Sequence, residues 1–239
     1  MYLAHIKKGE GKEINQTVEE HLRNVARLSS LLASKFGLNK SCELLGLLHD
    51  LGKYSSAFQN YLQSATGIID QDEDEYVDSG KLKGKIDHST AGAQYIWNCA
   101  KGEDKKLQVA IQTMALCIAS HHSGLIDCIS PEGENEFSKR MAKTSNKTYL
   151  EEVLQNADKE LLERINKLIS DSETYYAIIK LLKRIVTENK NEIINRFQAG
   201  LLVKMLYSCL IDADRTDTAD FENPRNAKNR QYGSYLEWG

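Results

Sequence analysis

Proline is nearly absent: the 239 residues contain only Pro131 and Pro224. A chain with so few helix breakers, rich in Leu, Ile, Ala, Lys and Glu, is expected to be all-α. Apolar residues at helical spacing over most of its length support this. No CxxC pair occurs, and the five cysteines (Cys42, Cys99, Cys117, Cys128 and Cys209) are scattered and odd in number. They read as reduced, mostly buried thiols of a cytoplasmic protein. No run approaches the roughly 18 apolar residues of a membrane span. The first residues have neither the apolar core nor the cleavage pattern of a signal peptide. Neither sign of charge dominates. A net charge of −3 excludes a generally basic, nucleic-acid-coating protein, though not a local basic or metal-lined groove. No internal repeat or dividing linker is visible, and 41% hydrophobic content suffices for one sizeable core.

What is present is a set of histidines and aspartates at the ends of apolar segments. In Leu47-Leu48-His49-Asp50-Leu51-Gly52-Lys53 an apolar run delivers a polar doublet and stops at glycine. The spacing predicts a buried helix over residues 40–53. Taken alone, the doublet reads as an Asp50–Lys53 pair with His49 capping the helix end. Adjacent helical residues diverge by about 100°, so His49 and Asp50 can straddle two ions, or Asp50 can bridge them.

Residues 1–16 read as an extended or loop lead-in, with His5 exposed. Thr17-Val18-Glu19-Glu20 fits a capping box for a first helix ended by Gly37. His21 borders its buried face, next to Val18, Leu22 and Val25. Residues 54–65 are expected to form a helix. The acidic stretch 70–78 reads as a surface loop that lacks calcium-loop spacing. His88 opens the next helix, capped by Asp87, Ser89 or Thr90. Residues 105–122 form a buried helix ending in Ser120-His121-His122, where two neutral imidazoles are natural nitrogen ligands. Residues 123–147 read as a flap beside the site. Residues 148–170 and 172–188 read as amphipathic helices, with Lys180, Lys183, Arg184 and Lys190 on a solvated face. A last helix over residues 192–214, buried through Phe197, Leu201, Leu202, Met205, Leu206, Cys209 and Leu210, delivers Asp212 and Asp214 at its end. A cation there would offset two carboxylates at a helix C-terminus. Helices drawn from across the chain would each contribute one or two ligands, a common way to build a metal site in a helical bundle.

In this order, His21, His49-Asp50, His88, His121-His122 and Asp214 match the pattern of HD-domain metal hydrolases. More narrowly, four segments resemble the HD nuclease domain of the type I CRISPR nuclease–helicase. They are Leu48-His49-Asp50-Leu51-Gly52-Lys53, Asp87-His88-Ser89-Thr90-Ala91-Gly92, Ala119-Ser120-His121-His122-Ser123-Gly124 and Asp212-Ala213-Asp214-Arg215-Thr216-Asp217-Thr218. The resemblance spans about residues 4–220.

It implies a single HD-domain helical bundle with one or two divalent metal ions at its centre. His21, His49 and Asp50 would hold one ion with the C-terminal aspartate. Asp50 would bridge to a second ion held by His88, His121 and His122. The Ala213-Asp214 register fits the family's pattern, so Asp214 is the expected ligand and Asp212 the reserve. Lys53 would contact the scissile phosphate or steady Asp50, and Ser89 would support the ligands from behind. A nitrogen-rich set suits Mn, Fe, Co or Ni better than Mg.

The implied reaction is hydrolysis of single-stranded DNA. The implied partners are a helicase domain or subunit and a CRISPR RNA-guided surveillance complex, with no membrane. No GxxxxGK[ST] loop occurs, so unwinding must come from elsewhere. Residues 1–220 are expected to be the nuclease domain. Residues 221–239, with an aromatic end, would be a tail that links to or docks on a helicase. The chain would be either a stand-alone subunit or the N-terminal part of a longer protein. The alternatives are an HD phosphohydrolase acting on nucleotides or cyclic nucleotides, and a non-catalytic module stabilised by a structural metal.

Overall fold

The computed structural model describes residues 1–9, 12–67, 86–188, 190–228 and 230. Its centre is helix α2 (Asn39–Leu48), whose Leu44, Leu45, Leu47 and Leu48 are all buried. A helix apolar all round must be covered on all sides. Helix α1 (Val18–Ala33) packs along α2 through Val18, Leu22, Val25 and Ala26. The approach is close because position 46 is glycine: a Cβ there would lie 2.4 Å from the Ala26 Cα. The capping box is formed, with Glu20 N–H donating to Thr17 Oγ1 and Thr17 N–H donating to the Glu20 carboxylate.

The remaining cover comes from α3 (Ser56–Ala65), α4 (Thr90–Asn98), α5 (Lys105–Ser120), α6 (Glu136–Met141), α7 (Leu150–Asn156), α8 (Lys159–Ser170), α9 (Glu173–Glu188) and α10 (Glu192–Glu222). The architecture is an all-α bundle around a cluster of His and Asp side chains.

Several local expectations change. The lead-in is a β-hairpin, β1 (Leu3–Gly9) antiparallel to β2 (Lys12–Thr17). Gln59 of α3 ties it to the bundle by exchanging two hydrogen bonds with the Leu3 main chain, at 3.0 and 2.9 Å. His5 is therefore half-buried rather than exposed, with its ring 4.9 Å from that of His21.

The helix expected over residues 40–53 stops at Leu48. A 3-10 turn, Leu51–Tyr54, follows. Asp50 is not helical there (φ −112°, ψ 22°), so the doublet sits at a break.

The segment 148–170 is two helices, because Ala157 is extended. Tyr54 Oη donates to the Asp158 carboxylate at 2.8 Å, fixing the break.

The last helix does not end at 214. It runs 31 residues to Glu222, roughly 46 Å, so Asp212 and Asp214 are interior and the helix-end argument fails. The boundary drawn at residue 220 falls inside it.

Phe197 (66% exposed) and Leu201 are solvent-facing, as are most residues in the first turns of α10. The acidic stretch 70–78 and the aromatic end of the tail lie outside the described residues.

Candidate metal centre

The break after α2 is what turns the doublet inward. His49 and Asp50 are both fully buried, and two ionisable groups cannot remain so without partners. Those partners come from four directions. Helix α1 supplies His21 and α10 supplies Asp214. The turn before α4 supplies His88, and the end of α5 supplies His121 and His122.

Two groups result, and Asp50 belongs to both. On one side, Asp50 Oδ2 lies 3.3 Å from His21 Nε2 and 3.4 Å from His49 Nε2. Asp214 Oδ1 lies 3.4 and 3.6 Å from the same two nitrogens. On the other side, Asp50 Oδ1 lies 3.0 Å from His121 Nε2, 3.4 Å from His122 Nε2 and 3.7 Å from His88 Nε2.

Glycine permits this convergence at two points. A Cβ on Gly52 would lie 2.2 Å from the His88 carbonyl oxygen, which instead accepts the Gly52 N–H at 3.2 Å. A Cβ on Gly92 would lie 1.9 Å from the Leu48 carbonyl oxygen. The His88 turn is anchored by Asp87, which accepts from Thr90 N–H at 3.0 Å and pairs with Lys143 at 2.5 Å. Asp87, rather than Ser89, caps α4. Ser89 Oγ accepts instead from Arg140 at 2.7 Å, in the same anchoring network.

The rings are oriented from behind. His49 Nδ1–H donates to Gly46 O at 2.8 Å, His121 Nδ1–H to Ile118 O at 2.7 Å, and His88 Nδ1–H to Ile86 O at 3.1 Å. Each therefore turns Nε2 inward, where it can act as a ligand once it carries no proton. Yet His21 and His49 Nε2 are 3.2 Å apart, and His88 and His122 Nε2 are 2.6 Å apart. At such distances a proton or a metal cation must lie between the paired nitrogens. Asp50 Oδ2 is a buried oxygen at which no donor is well directed, although Lys53 Nζ stands 2.8 Å away as an ion pair. The donor sets, two imidazoles with two carboxylates and three imidazoles with one, fit divalent transition ions.

The electrostatics of the two groups differ. Burial opposes charge on His49, but Asp50 and Asp214 outweigh it and lift its pKa to about 10. His21 is also raised: burial and Lys53 oppose the proton, and Asp214, Asp217 and Asp50 overcome them. Without a metal, a proton neutralises this carboxylate-rich side. Burial pushes His88 down to about 3 and lowers His121 as well, so both are neutral at pH 7. Burial would raise Asp50, but the Lys53 ammonium and His49 hold it well below the usual carboxylate range. Asp214 is likewise held far below that range by His21 and His49, against burial.

Of the residues read from the sequence, the fold brings together His21, His49, Asp50, His88, His121, His122, Asp214 and Lys53. Asp212 is exposed on the opposite face of α10 and joins neither group. One residue went unassigned: Asp217, buried, with Oδ2 2.7 Å from His21 Nδ1. The available signal was its position three residues beyond Asp214, which shares a face if the helix continues.

A helical bundle with His/Asp groups meeting at one buried HD doublet defines the class: a metal-dependent hydrolase of the HD type. The family model described as Cas3, HD domain, matches residues 12–188, and the chain belongs to that family. No curated protein matches the chain. The matched stretch ends before α10, so Asp214 and Asp217 enter the site through the fold. Among the described residues, no helix is long and apolar enough to cross a membrane.

Proposed function

We propose that this chain is a nuclease that hydrolyses phosphodiester bonds of single-stranded DNA in type I CRISPR interference. A helicase in cis or in trans feeds it the strand, and a CRISPR RNA-guided complex recruits it, in the cytoplasm where such targets lie. The observation that carries this reading is the sharing of Asp50, one carboxylate oxygen facing each group of nitrogens.

His21, His49, Asp50 and Asp214 would hold one divalent ion, and Asp50, His88, His121 and His122 the second. When bound, such ions supply a water acidified to near-neutral pKa and charge to polarise a phosphodiester. The rest belongs to the chain. Main-chain carbonyls hold His49, His88 and His121, so these rings need no reorganisation when substrate arrives. Lys53 keeps Asp50 ionised and adds positive charge beside an incoming phosphate. His122, its side chain 46% exposed, marks the open edge of the centre.

From Ser123 onward the flap lines an open groove of about 570 Å³, with Lys139, Arg140 and Lys143 on its wall beside Asp127 and Glu136. An open groove favours a strand over an enclosed mononucleotide. Residues 221–239 are assigned to the junction with a helicase.

The deciding experiment incubates metal-loaded protein with single-stranded DNA, duplex DNA and mononucleotides across Mn, Ni, Co, Fe and Mg. Cleavage of the single strand, lost in Asp50→Ala, is expected. Turnover of mononucleotides with the strand left intact would replace this reading with that of a nucleotide phosphohydrolase.

A further inference from the structure

The rings of the centre are not all supported alike. His49, His88 and His121 each lean on a main-chain carbonyl. His21 leans on a carboxylate, with Nδ1 2.7 Å from Asp217 Oδ2. Asp217 is 5% exposed. The same oxygen accepts a hydrogen bond from Gln16 Nε2, on β2, at 2.9 Å. The N-terminal hairpin thus clamps the carboxylate that backs a ring on α1.

Asp217 stands behind the imidazole, on the side away from Nε2, and belongs to neither group of candidate ligands. A charge-assisted bond from Nδ1–H is shorter and stronger than one to a neutral carbonyl. It fixes the tautomer and raises the basicity of the far nitrogen. Asp214 and Asp217 lie three residues apart on one uninterrupted helix, so α10 offers both a ligand and the support for its neighbour.

We propose that Asp217 is a positioning residue: it holds His21 with Nε2 aimed at Asp50 and Asp214, and so sets the metal affinity of that group without touching the ion. This rests on reading the two groups as metal sites.

The test is calorimetric titration of the metal-free full chain with Mn²⁺. His122→Ala serves as the background that leaves the His21 group complete, and His49→Ala as the one that leaves the other. Asp217→Asn keeps an acceptor of the same shape and removes the charge. It is expected to weaken Mn²⁺ at the His21 group by about 10- to 100-fold and leave the other group unchanged. The NMR signal of the His21 Nδ1 proton should move upfield. Gln16→Ala, which removes the clamp alone, is expected to weaken the same group by less, and provides the test if Asp217→Asn does not fold. Unchanged Mn²⁺ affinity together with an unmoved His21 signal overturns the proposal. So does equal weakening of both groups with a fall in Tm, the mark of a purely structural role. Wild-type protein that takes up no Mn²⁺ at all would instead overturn the metal reading beneath it.

Discussion

The two halves of the candidate centre share one aspartate and differ in almost everything else. The His21–His49–Asp50–Asp214 half is built on helices α1 and α10 and on the break that follows α2. Its imidazoles are fully buried, and it carries two carboxylates. The His88–His121–His122 half is built on helix ends and a turn. Its side chains reach 20% exposure at His88 and 46% at His122, and among the described residues its only carboxylate is Asp50. The buried half balances its charge with a proton when no metal is bound, whereas His88 and His121 stay neutral. One half is set by packing of the core, and the other by helix ends and a turn. The outer half is therefore the more exposed of the two.

The largest effect should come from removing what the halves share. Asp50→Ala is expected to lower single-strand cleavage by at least about 100- to 1,000-fold and abolish metal uptake by both halves. Elemental analysis of the purified protein and a cleavage assay read this directly. A variant that keeps two ions would break the picture of a shared carboxylate.

Removing one imidazole from each half separates them. His49→Ala empties a site inside the core and should cost stability, about 2 kcal/mol or more, besides metal at the buried half. His122→Ala should stay within about 0.5 kcal/mol of wild type, because its ring is half-exposed, while weakening metal at the outer half. Thermal melts with metal titrations check the pair. Equal loss of stability in both variants would erase the distinction.

Gly52→Ala should strike the joint between the halves. Its Cβ would meet the His88 main chain rather than a movable side chain, so the turn must shift. A cost of about 1–3 kcal/mol is expected. Metal loss should be concentrated at the outer half, seen by titrating Gly52→Ala beside wild type.

The gentlest probe is pH. His49, with its pKa raised to about 10, must lose a proton before it can act as a ligand. Affinity of the buried half should therefore rise up to about tenfold per pH unit between pH 7 and 9. His88 and His121, already neutral, have no proton to release over that range, so they add no such slope. In metal-free protein the His49 proton has the opposite consequence. Its stabilising contribution is fully present below the unfolded pKa of 6.5 and disappears as pH rises through about 10. Metal titrations at pH 7, 8 and 9 test the first statement, and melts of metal-free protein test the second. Parallel slopes at the two halves would contradict the contrast.

Much of this was legible in local pattern. The capping box at Thr17, the buried helix leading to the His49–Asp50 doublet and the cap on Asp87 follow from spacing and residue type. Less visible were the events that depend on distant contacts. The hairpin is tied to the bundle by Gln59 at Leu3, and without that partner residues 1–16 read only as an extended or loop lead-in. The stop after Leu48 was hidden because Asp50-Leu51-Gly52-Lys53 is compatible with another helical turn. It is the His88 main chain against Gly52 that decides otherwise. The end of α10 was misplaced because two aspartates looked like a terminus. Only burial against His21 shows Asp214 and Asp217 to be an interior face.

The sequence by itself determined the all-helical character, through its lack of proline and its helical spacing, and it determined which side chains could bind metal, since donor chemistry is a property of residue type. Tertiary structure decided which donors meet. His21 and Asp217 are 196 residues apart yet in hydrogen-bond contact. Asp212 and Asp214 are two apart yet face opposite ways, because adjacent positions on a helix are fixed in direction by 3.6 residues per turn. Which direction points into the centre depends on how α10 lies against α1, a packing choice that no local pattern encodes.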